Sequence, residues 1–234
     1  MKFITGHNLV LISALLITPI SHADITDVSC VYETTEQDIK ETRGHSHNHH
    51  EKNATQWFFW RTDKTVEVSN AEKSFGEKWI LGDKNTVFYQ ALYHDKQFAM
   101  DFQPTDLKIL GKQTNWAMRS SLLPQSLLKQ LKQIENGKFN QYHTVRYQGK
   151  VAGVEYQVDW IPQLKLPARI KKTGMKKTVL TELKEIYPLN KTPHKAQLSE
   201  LYDDMDYADI GDNESHPVVA QLQKSTGIGY FHQH

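Results

Sequence analysis

The sequence predicts an α+β fold built on a curved antiparallel β-sheet, an incomplete barrel, which packs against one inserted helix and ends in a short helical segment. Three observations predict it. Short aromatic or alternating apolar segments recur between turn residues from position 28 to position 110. A segment around residues 121–137, in which apolar residues recur at helical spacing, then interrupts them. Further alternating segments follow as far as residue 187.

Composition limits the class of protein. The chain has 234 residues and a formal net charge of +1, which is ordinary for a folded domain and argues against a dedicated nucleic-acid binder. Its one cysteine, Cys30, excludes a disulfide framework, a cysteine-based zinc finger and an iron–sulfur cluster. We expect Cys30 to be a buried, inert thiol; an intermolecular disulfide is the alternative.

The first residues predict export. Lys2 precedes an apolar stretch at 9–17, and Pro19 and the small residues around Ala23 follow. This pattern predicts a secretory signal peptide at 1–23, cleaved after Ala23, and therefore a periplasmic protein. An uncleaved anchor helix is the alternative, but the apolar core is shorter than the about 20 residues that span a membrane. Cys30 lies too far beyond the cleavage position for a lipoprotein.

The mature chain divides into a curved-sheet domain at 24–191 and an acidic C-terminal segment at 192–234, packed on the same domain. Strict alternation between 154 and 160 gives the clearest strand, with one apolar and one polar face. The turn near 149–153 predicts a hairpin, and residues 167–172 pair with 178–186 around Gly174. The first group of strands is predicted at 57–60, 65–68, 77–81, 86–93 and 98–102.

The sequence predicts two helices and a further short one, which Ser215 caps and which contains Val218, Val219 and Leu222. The inserted helix starts at Ser120 or Ser121 and ends near Gly137. Its apolar face is formed by Leu127, Leu128, Leu131 and Ile134. The C-terminal helix starts at Thr192 and Pro193. Its apolar stripe is formed by Leu198, Leu201, Tyr202 and Met205, which we expect to dock on the sheet as a plug.

In the order of its elements the chain resembles the periplasmic carrier fold of the outer-membrane lipoprotein-sorting family. The resemblance covers residues 28–187 and includes the hairpin segments 166–170 and 178–183. It implies a cavity between sheet and helix that holds a lipid-like ligand or a lipidated partner. With the apolar strand faces it gives the candidate cavity residues Phe98, Met100, Phe102, Tyr156, Val158 and Trp160. The C-terminal helix is expected to leave this cavity open or to fill it.

A histidine-rich loop at 44–51 interrupts the predicted strands. Four imidazoles within six residues can gather on zinc, copper or nickel, and Asp38 and Glu51 could add carboxylates. The candidate metal ligands are His45, His47, His49 and His50. An exposed polar loop with incidental metal affinity is the favoured alternative, and pH sensing is a third interpretation.

Opposite charges cluster late in the chain. Residues 163–195 carry about +7 and residues 200–214 carry −7. We expect the acidic helix to lie near the basic hairpin 165–184; the alternative is that this hairpin meets an anionic membrane surface. Neither a calcium loop nor a nucleophile motif is present. We expect the remaining histidines to be surface or part-buried side chains: His94, His143, His194 and His216.

These observations favour a periplasmic, non-enzymatic binding or carrier protein for a lipid-like ligand or a lipidated partner. A periplasmic metal-handling protein that uses the histidine-rich loop is the second hypothesis. An enzyme is not expected, because the chain carries no recognisable catalytic signature.

Overall fold

One open, curved sheet of twelve strands carries the fold. The computed structural model describes residues 27–39, 53–70, 74–112, 114–213 and 215–219. The predicted signal peptide at 1–23 and the histidine-rich loop at 44–51 lie outside these ranges. None of the helices within them is long and apolar enough to cross a membrane.

The strands form two meanders joined in the middle of the sheet. The strands are β1 Val28–Asp38, β2 Asn53–Arg61, β3 Thr65–Asn70, β4 Phe75–Leu81, β5 Val87–Tyr93, β6 Phe98–Phe102, β7 Lys132–Phe139, β8 Tyr142–Val151, β9 Val154–Ile161, β10 Leu166–Thr173, β11 Lys177–Pro188 and β12 Asp203–Asp206. Their order is β12-β6-β5-β4-β3-β2-β1-β11-β10-β9-β8-β7. Neighbouring strands are antiparallel except β12 and β6, which are parallel, so the predicted curved antiparallel sheet is confirmed.

Helical segments are short, and the sheet dominates the fold. The α-helices are α1 Pro104–Ile109, α2 Trp116–Ser121 and α3 Gln125–Gln130. Single 3-10 turns lie at Asp83–Asn85, His94–Lys96, Leu189–Lys191, Ser199–Leu201 and Tyr207–Asp212. The hairpin predicted near 149–153 is confirmed: β8 and β9 are joined through Ala152 and Gly153, both with positive φ, as a tight hairpin turn requires.

The core lies on one face of the sheet, which we call the core face. Alternation along the strands brings the side chains of Cys30, Tyr32, Phe59, Trp79 and Met100 into one buried cluster. The Tyr32 hydroxyl donates to the Pro167 carbonyl at 2.9 Å. Burial raises the pKa of the Cys30 thiol to about 12, so it stays neutral, and the prediction of a buried thiol is confirmed.

The prediction of a single long inserted helix is wrong. The chain forms three short helices, and α3 ends at Gln130 because Leu131 is already extended, with φ −96° and ψ 151°. Ile134 and Gly137 belong to β7, which pairs with β8. The Asn-Gly pair in this segment disfavours a helix, whereas pairing with β8 gives its backbone hydrogen-bond partners. Leu127 and Leu131 do keep the predicted apolar contact and are buried against β9.

The prediction of a C-terminal helix that plugs the cavity is also wrong. Residues 192–202 run without a regular helix, and Asp203–Asp206 then pairs with the edge strand β6. Leu198 and Leu201 are 65% and 77% exposed, so they do not dock on the sheet. Strand pairing is favoured over a helix because β6 offers an unpaired backbone edge. An acidic segment of this length has little helix propensity of its own.

The acidic segment does not neutralise the basic hairpin. Six strands separate β12 from β11 in the sheet order. The hairpin instead pairs with glutamates: Lys177 with Glu36 at 3.0 Å, and Lys184 with Glu33 at 2.9 Å. These surface pairs contribute about 0–1 kcal/mol each, so they balance charge more than they add stability. Contact of this hairpin with an anionic membrane stays a prediction.

Candidate functional site

A segment that we call the strap, residues 192–202, crosses the outer face of the sheet, opposite the core face. It is held at its start by Thr192, whose Oγ1 donates to the Ser29 Oγ at 2.8 Å. The Trp60 indole N–H then donates to the His194 carbonyl at 2.7 Å. The strap reaches β6 where the Asp203 N–H donates to the Gln97 carbonyl at 2.9 Å, and β12 begins there.

A row of outer-face residues runs beneath the strap. The register places Ser29 beside Trp60, Trp60 beside Glu67, and Glu67 beside Lys78. The period of two explains this row, because Val66 is buried in the core cluster and its neighbour Glu67 must then point to the outer face. The sheet therefore places an acidic side chain under the strap.

Two clefts border the strap. The larger cleft has a volume of about 470 Å³ and is lined by Phe58, Trp60, Glu67, Ser69, Ser74, His94, Asp95, Pro193, His194, Lys195 and Gln197. The smaller cleft has a volume of about 240 Å³ and is lined by Trp60, Arg61, Thr62, Thr65, Glu67, Lys78, Leu189, Ala196, Gln197, Leu198 and Glu200. Trp60, Glu67 and Gln197 belong to both, so the strap separates two openings onto the same residues.

Glu67 is the unusual residue of this site. It is only 6% exposed, and its Oε1 is buried with no hydrogen-bond partner among the described residues. Burial raises the pKa of Glu67 to about 7, against the Lys78 charge, which lowers it; the Glu200 charge raises it further. The Lys78 ammonium donates instead to the Ser199 hydroxyl and to the Glu200 carboxylate, both at 3.0 Å. Within the described part of the chain, the Glu67 carboxyl is thus buried without a bonded counter-charge.

Aromatic rings form one wall of the larger cleft. The Phe58 ring stacks on Trp60 with centroids 5.6 Å apart, and on the imidazole of His194 with centroids 4.9 Å apart. Phe58 and Trp60 come from β2, whereas His194 comes from the strap. The wall therefore depends on the strap lying in place, and it presents flat apolar surface beside a carboxyl group.

His94 ties the far end of the strap to the sheet. Its Nε2 lies 3.1 Å from the Ser69 Oγ, and its Nδ1 lies 3.0 Å from the Tyr202 hydroxyl. Gly76 permits this, because a Cβ there would lie 2.6 Å from the His94 Nε2. Burial lowers the pKa of His94, so the neutral ring is favoured.

Among the described residues, the Ser69–His94 pair has no carboxylate at the second ring nitrogen of His94. The Ser69 hydroxyl also donates to the Phe75 carbonyl at 3.3 Å, so its proton has a backbone acceptor besides the His94 Nε2. Tyr202 stands where a hydrolase triad has a carboxylate. Ser69 itself is only 8% exposed. The arrangement can fix the strap and line a binding cleft.

The structure separates the predicted cavity residues. Phe98, Met100 and Phe102 are buried in the main core cluster. Val158 and Trp160 are buried in a second cluster, with Tyr156 packed against it. They pack against other core side chains in both places, and their binding of a ligand stays a prediction.

The predicted metal ligands cannot be placed. His45, His47, His49 and His50 lie outside the described residues. Across the described part of the chain, no group of three or more histidine, cysteine or acidic side chains is positioned to hold a metal ion. Metal binding by the loop therefore stays a prediction.

Sequence reasoning missed Glu67, His94 and Tyr202 as members of one site. Glu67 has the alternation of an ordinary solvent-facing strand residue. The contacts that give it a role come from strap residues about 130 positions further along the chain. The one available signal was the position of this polar side chain between Val66 and Val68. It shows that Glu67 points to the outer face, but it does not show which segment covers that face.

The fold and cleft define a protein built on an open antiparallel sheet with a strap across its outer face. No family model matches the chain, and no curated protein matches it. Among solved structures it is similar to PNGF-II, at 15% identity and a TM-score of 0.38, over 78% of this chain and 33% of that chain. The chain thus spans about a third of the length of PNGF-II.

Two further structures share similarity with it. MucB in complex with MucA(peri) matches at 6% identity and a TM-score of 0.36, over 75% of this chain and 55% of that chain. An outer membrane lipoprotein-sorting protein domain from Vibrio parahaemolyticus matches at 9% identity and a TM-score of 0.21, over 73% of this chain and 88% of that chain. The resemblance of the sequence to the lipoprotein-sorting family stays a prediction, because no family model matches the chain.

Proposed function

We propose that this chain is an exported, periplasmic binding or carrier protein without catalytic activity, and that its ligand lies in the larger cleft beside the strap. The observation that carries the proposal is the cleft itself. Its volume of about 470 Å³ lies in the range of small-molecule sites. Aromatic walls with a few converging polar groups are also typical of such sites.

A lipid-like ligand or a lipidated partner is the ligand class we propose. The core face of the sheet is filled by buried side chains such as Tyr32, Phe98 and Leu107, so we place the apolar part of the ligand on the outer face. Phe58, which is half-buried and stacks on the nearly buried Trp60, offers it apolar surface. Burial of such a group against them would supply the hydrophobic part of the affinity.

The test is direct binding to the mature chain, residues 24–234, recovered from the periplasm. We expect native mass spectrometry to show bound ligand, and a fluorescent fatty acid to be taken up. Phe58→Ala should weaken this uptake about tenfold, since losing an aromatic wall removes about 1.4 kcal/mol or more. Ile134→Ala, half-exposed on β7, is the matched control and should bind as the wild type does.

Two outcomes would overturn this proposal. One is a clean apo mass together with no uptake of the fatty acid by the wild-type chain. The other is equal uptake by Phe58→Ala and wild type, which would move the ligand away from the cleft.

Metal handling by the histidine-rich loop is a second proposal. It is supported by the pairing of β1 with β2, in which Glu36 lies opposite Asn53, so that the loop connects the two strands at one end of a hairpin. Replacing His45, His47, His49 and His50 by serine should abolish retention of zinc, copper or nickel and leave the melting temperature unchanged. Deletion of residues 45–50 should do the same. Metal retention that survives both changes would exclude the loop.

A further inference from the structure

We infer that the ligand of the larger cleft carries a primary ammonium group, and that this group binds the carboxylate of Glu67. The inference rests on the proposed function, because it names the chemistry of the ligand in that same cleft. It concerns one chemical group with two sources, the headgroup of a lipid or the side chain of a lysine.

The first support is the missing counter-charge at Glu67. Only 6% of Glu67 is exposed, and its Oε1 lacks a hydrogen-bond partner among the described residues. Burying a carboxylate without compensation is costly, so such a group is retained where something binds it. The adjacent cation Lys78 acts on Glu67 through its charge alone, because Ser199 and Glu200 accept its hydrogen bonds. An ammonium group supplies both a charge and three donors.

The second support is the wall beside the carboxyl. Phe58 and Trp60 line the same cleft as Glu67, and aromatic faces attract an ammonium group and its apolar stem. Asp95 adds a second carboxylate to the lining. The one ammonium side chain of the lining, Lys195, is exposed at the strap. Acidic and aromatic groups thus meet in the cleft, as recognition of an organic cation requires.

The inference implies that binding strengthens as the pH rises. Only ionised Glu67 attracts an ammonium group, and with a pKa of about 7 its ionised fraction increases about tenfold between pH 6 and pH 8. A primary ammonium group stays charged over this range. The charged or titratable groups around Glu67 are Arg61, Lys78, His94, Asp95, His194, Lys195, Glu200 and Tyr202. Protonation of His94 at low pH acts in the same direction, since it repels a cation.

The experiment compares n-octylammonium with 1-octanol, two probes that share an apolar chain and differ in the charged group. Titration calorimetry on the full mature chain at pH 8 should show octylammonium binding at least about tenfold more tightly than octanol. Glu67→Gln, which keeps the shape and removes the charge, should reduce octylammonium binding to the octanol level. The same substitution should leave octanol binding unchanged. Glu155→Gln, at an exposed glutamate of β9, is the matched control and should change neither.

The outcomes separate this inference from the proposed function. If octylammonium and octanol bind equally and Glu67→Gln changes neither, the ammonium inference is wrong while the apolar cleft stands. If the wild-type chain binds neither probe and no fatty acid, the proposed function fails. Dihexanoyl phosphatidylethanolamine and a lysine-containing peptide distinguish the two sources, and whichever of them binds the wild-type chain must lose affinity in Glu67→Gln for the inference to hold.

Discussion

Truncation after Thr192 is expected to lower the melting temperature of the mature chain strongly. It removes the strap beyond Thr192 and β12. It also removes four side chains of the described C-terminal residues that pack on the core cluster: Met205, Tyr207, Ile210 and Val218. The Tyr207 ring stacks on Phe102 with centroids 4.7 Å apart. Full burial of such side chains contributes about 1.5–3 kcal/mol each, and these are partly buried, so we expect a net loss of several kcal/mol.

Single substitutions identify which contacts cause the loss. Tyr207→Ala should destabilise the chain by about 2 kcal/mol, because it removes a stacked aromatic ring from the core. Leu198→Ser combined with Leu201→Ser should cost less than about 0.5 kcal/mol, since both side chains face solvent. Neutralising Asp203 and Asp204, which are exposed, should also cost little. Urea unfolding measures all three.

A truncated chain that melts at the temperature of the full mature chain would contradict this account. The C-terminal segment would then be a free appendage, and its acidic residues would be better interpreted as a partner-binding tail. Strong destabilisation by the Leu198 and Leu201 pair would instead favour the docked helix that the sequence pattern predicts.

Local patterns were enough to predict the sheet. The alternation at residues 98–102 and 154–160 appears in the structure as β6 and β9, each with its apolar side chains buried or half-buried. The two late hairpins also have the predicted turns, because turn residues act through their own backbone preferences. Alternation and turns are local properties, which is why one sequence reveals them.

The error at the C-terminal segment involves a partner that is distant in the chain. Leu198, Leu201, Tyr202 and Met205 have helical spacing, yet the segment meets the open edge of β6, about a hundred residues earlier, and pairs with it. The error at residues 132–139 is local, because this segment forms a hairpin with the following strand β8 although its apolar residues have helical spacing. A free strand edge offers backbone hydrogen bonds that overrule a weak helical pattern. The candidate site was missed because the strap that buries Glu67 is remote in sequence.

Replacing Glu67 by glutamine is expected to stabilise the chain at pH 8 and to leave its stability almost unchanged at pH 4. Burial raises the pKa of Glu67 from 4.5 to about 7, so the folded state keeps a proton that the unfolded state releases between these values. The contribution of this group to stability is therefore complete below pH 4.5 and is lost as the pH rises through 7. The gain of the variant at pH 8 should approach about 3 kcal/mol.

The pH series must isolate Glu67 from other titrating groups. Burial lowers the pKa of His94, which acts in the opposite sense, because its contribution is present above its ordinary value of 6.5 and is lost as the pH falls. The wild-type chain thus responds to both groups, whereas the difference between wild type and Glu67→Gln contains Glu67 alone. Urea unfolding of both chains at pH 4, 6 and 8 measures that difference, with Glu155→Gln as the exposed control. If the difference in free energy of unfolding between the two chains does not change with pH, the conclusion that Glu67 is an uncompensated carboxyl is wrong.

The same substitution should therefore have two opposite effects. Glu67→Gln is expected to strengthen the fold at pH 8 and to weaken the binding of an ammonium probe in the larger cleft. Replacing a residue with a structural role lowers the stability of the protein. Replacing a binding group that the ligand-free protein buries at a cost raises it. Octylammonium should in turn raise the melting temperature of the wild-type chain more at pH 8 than at pH 6, and should not raise that of Glu67→Gln. Stabilisation of both chains to the same extent would show that Glu67 does not bind the cation.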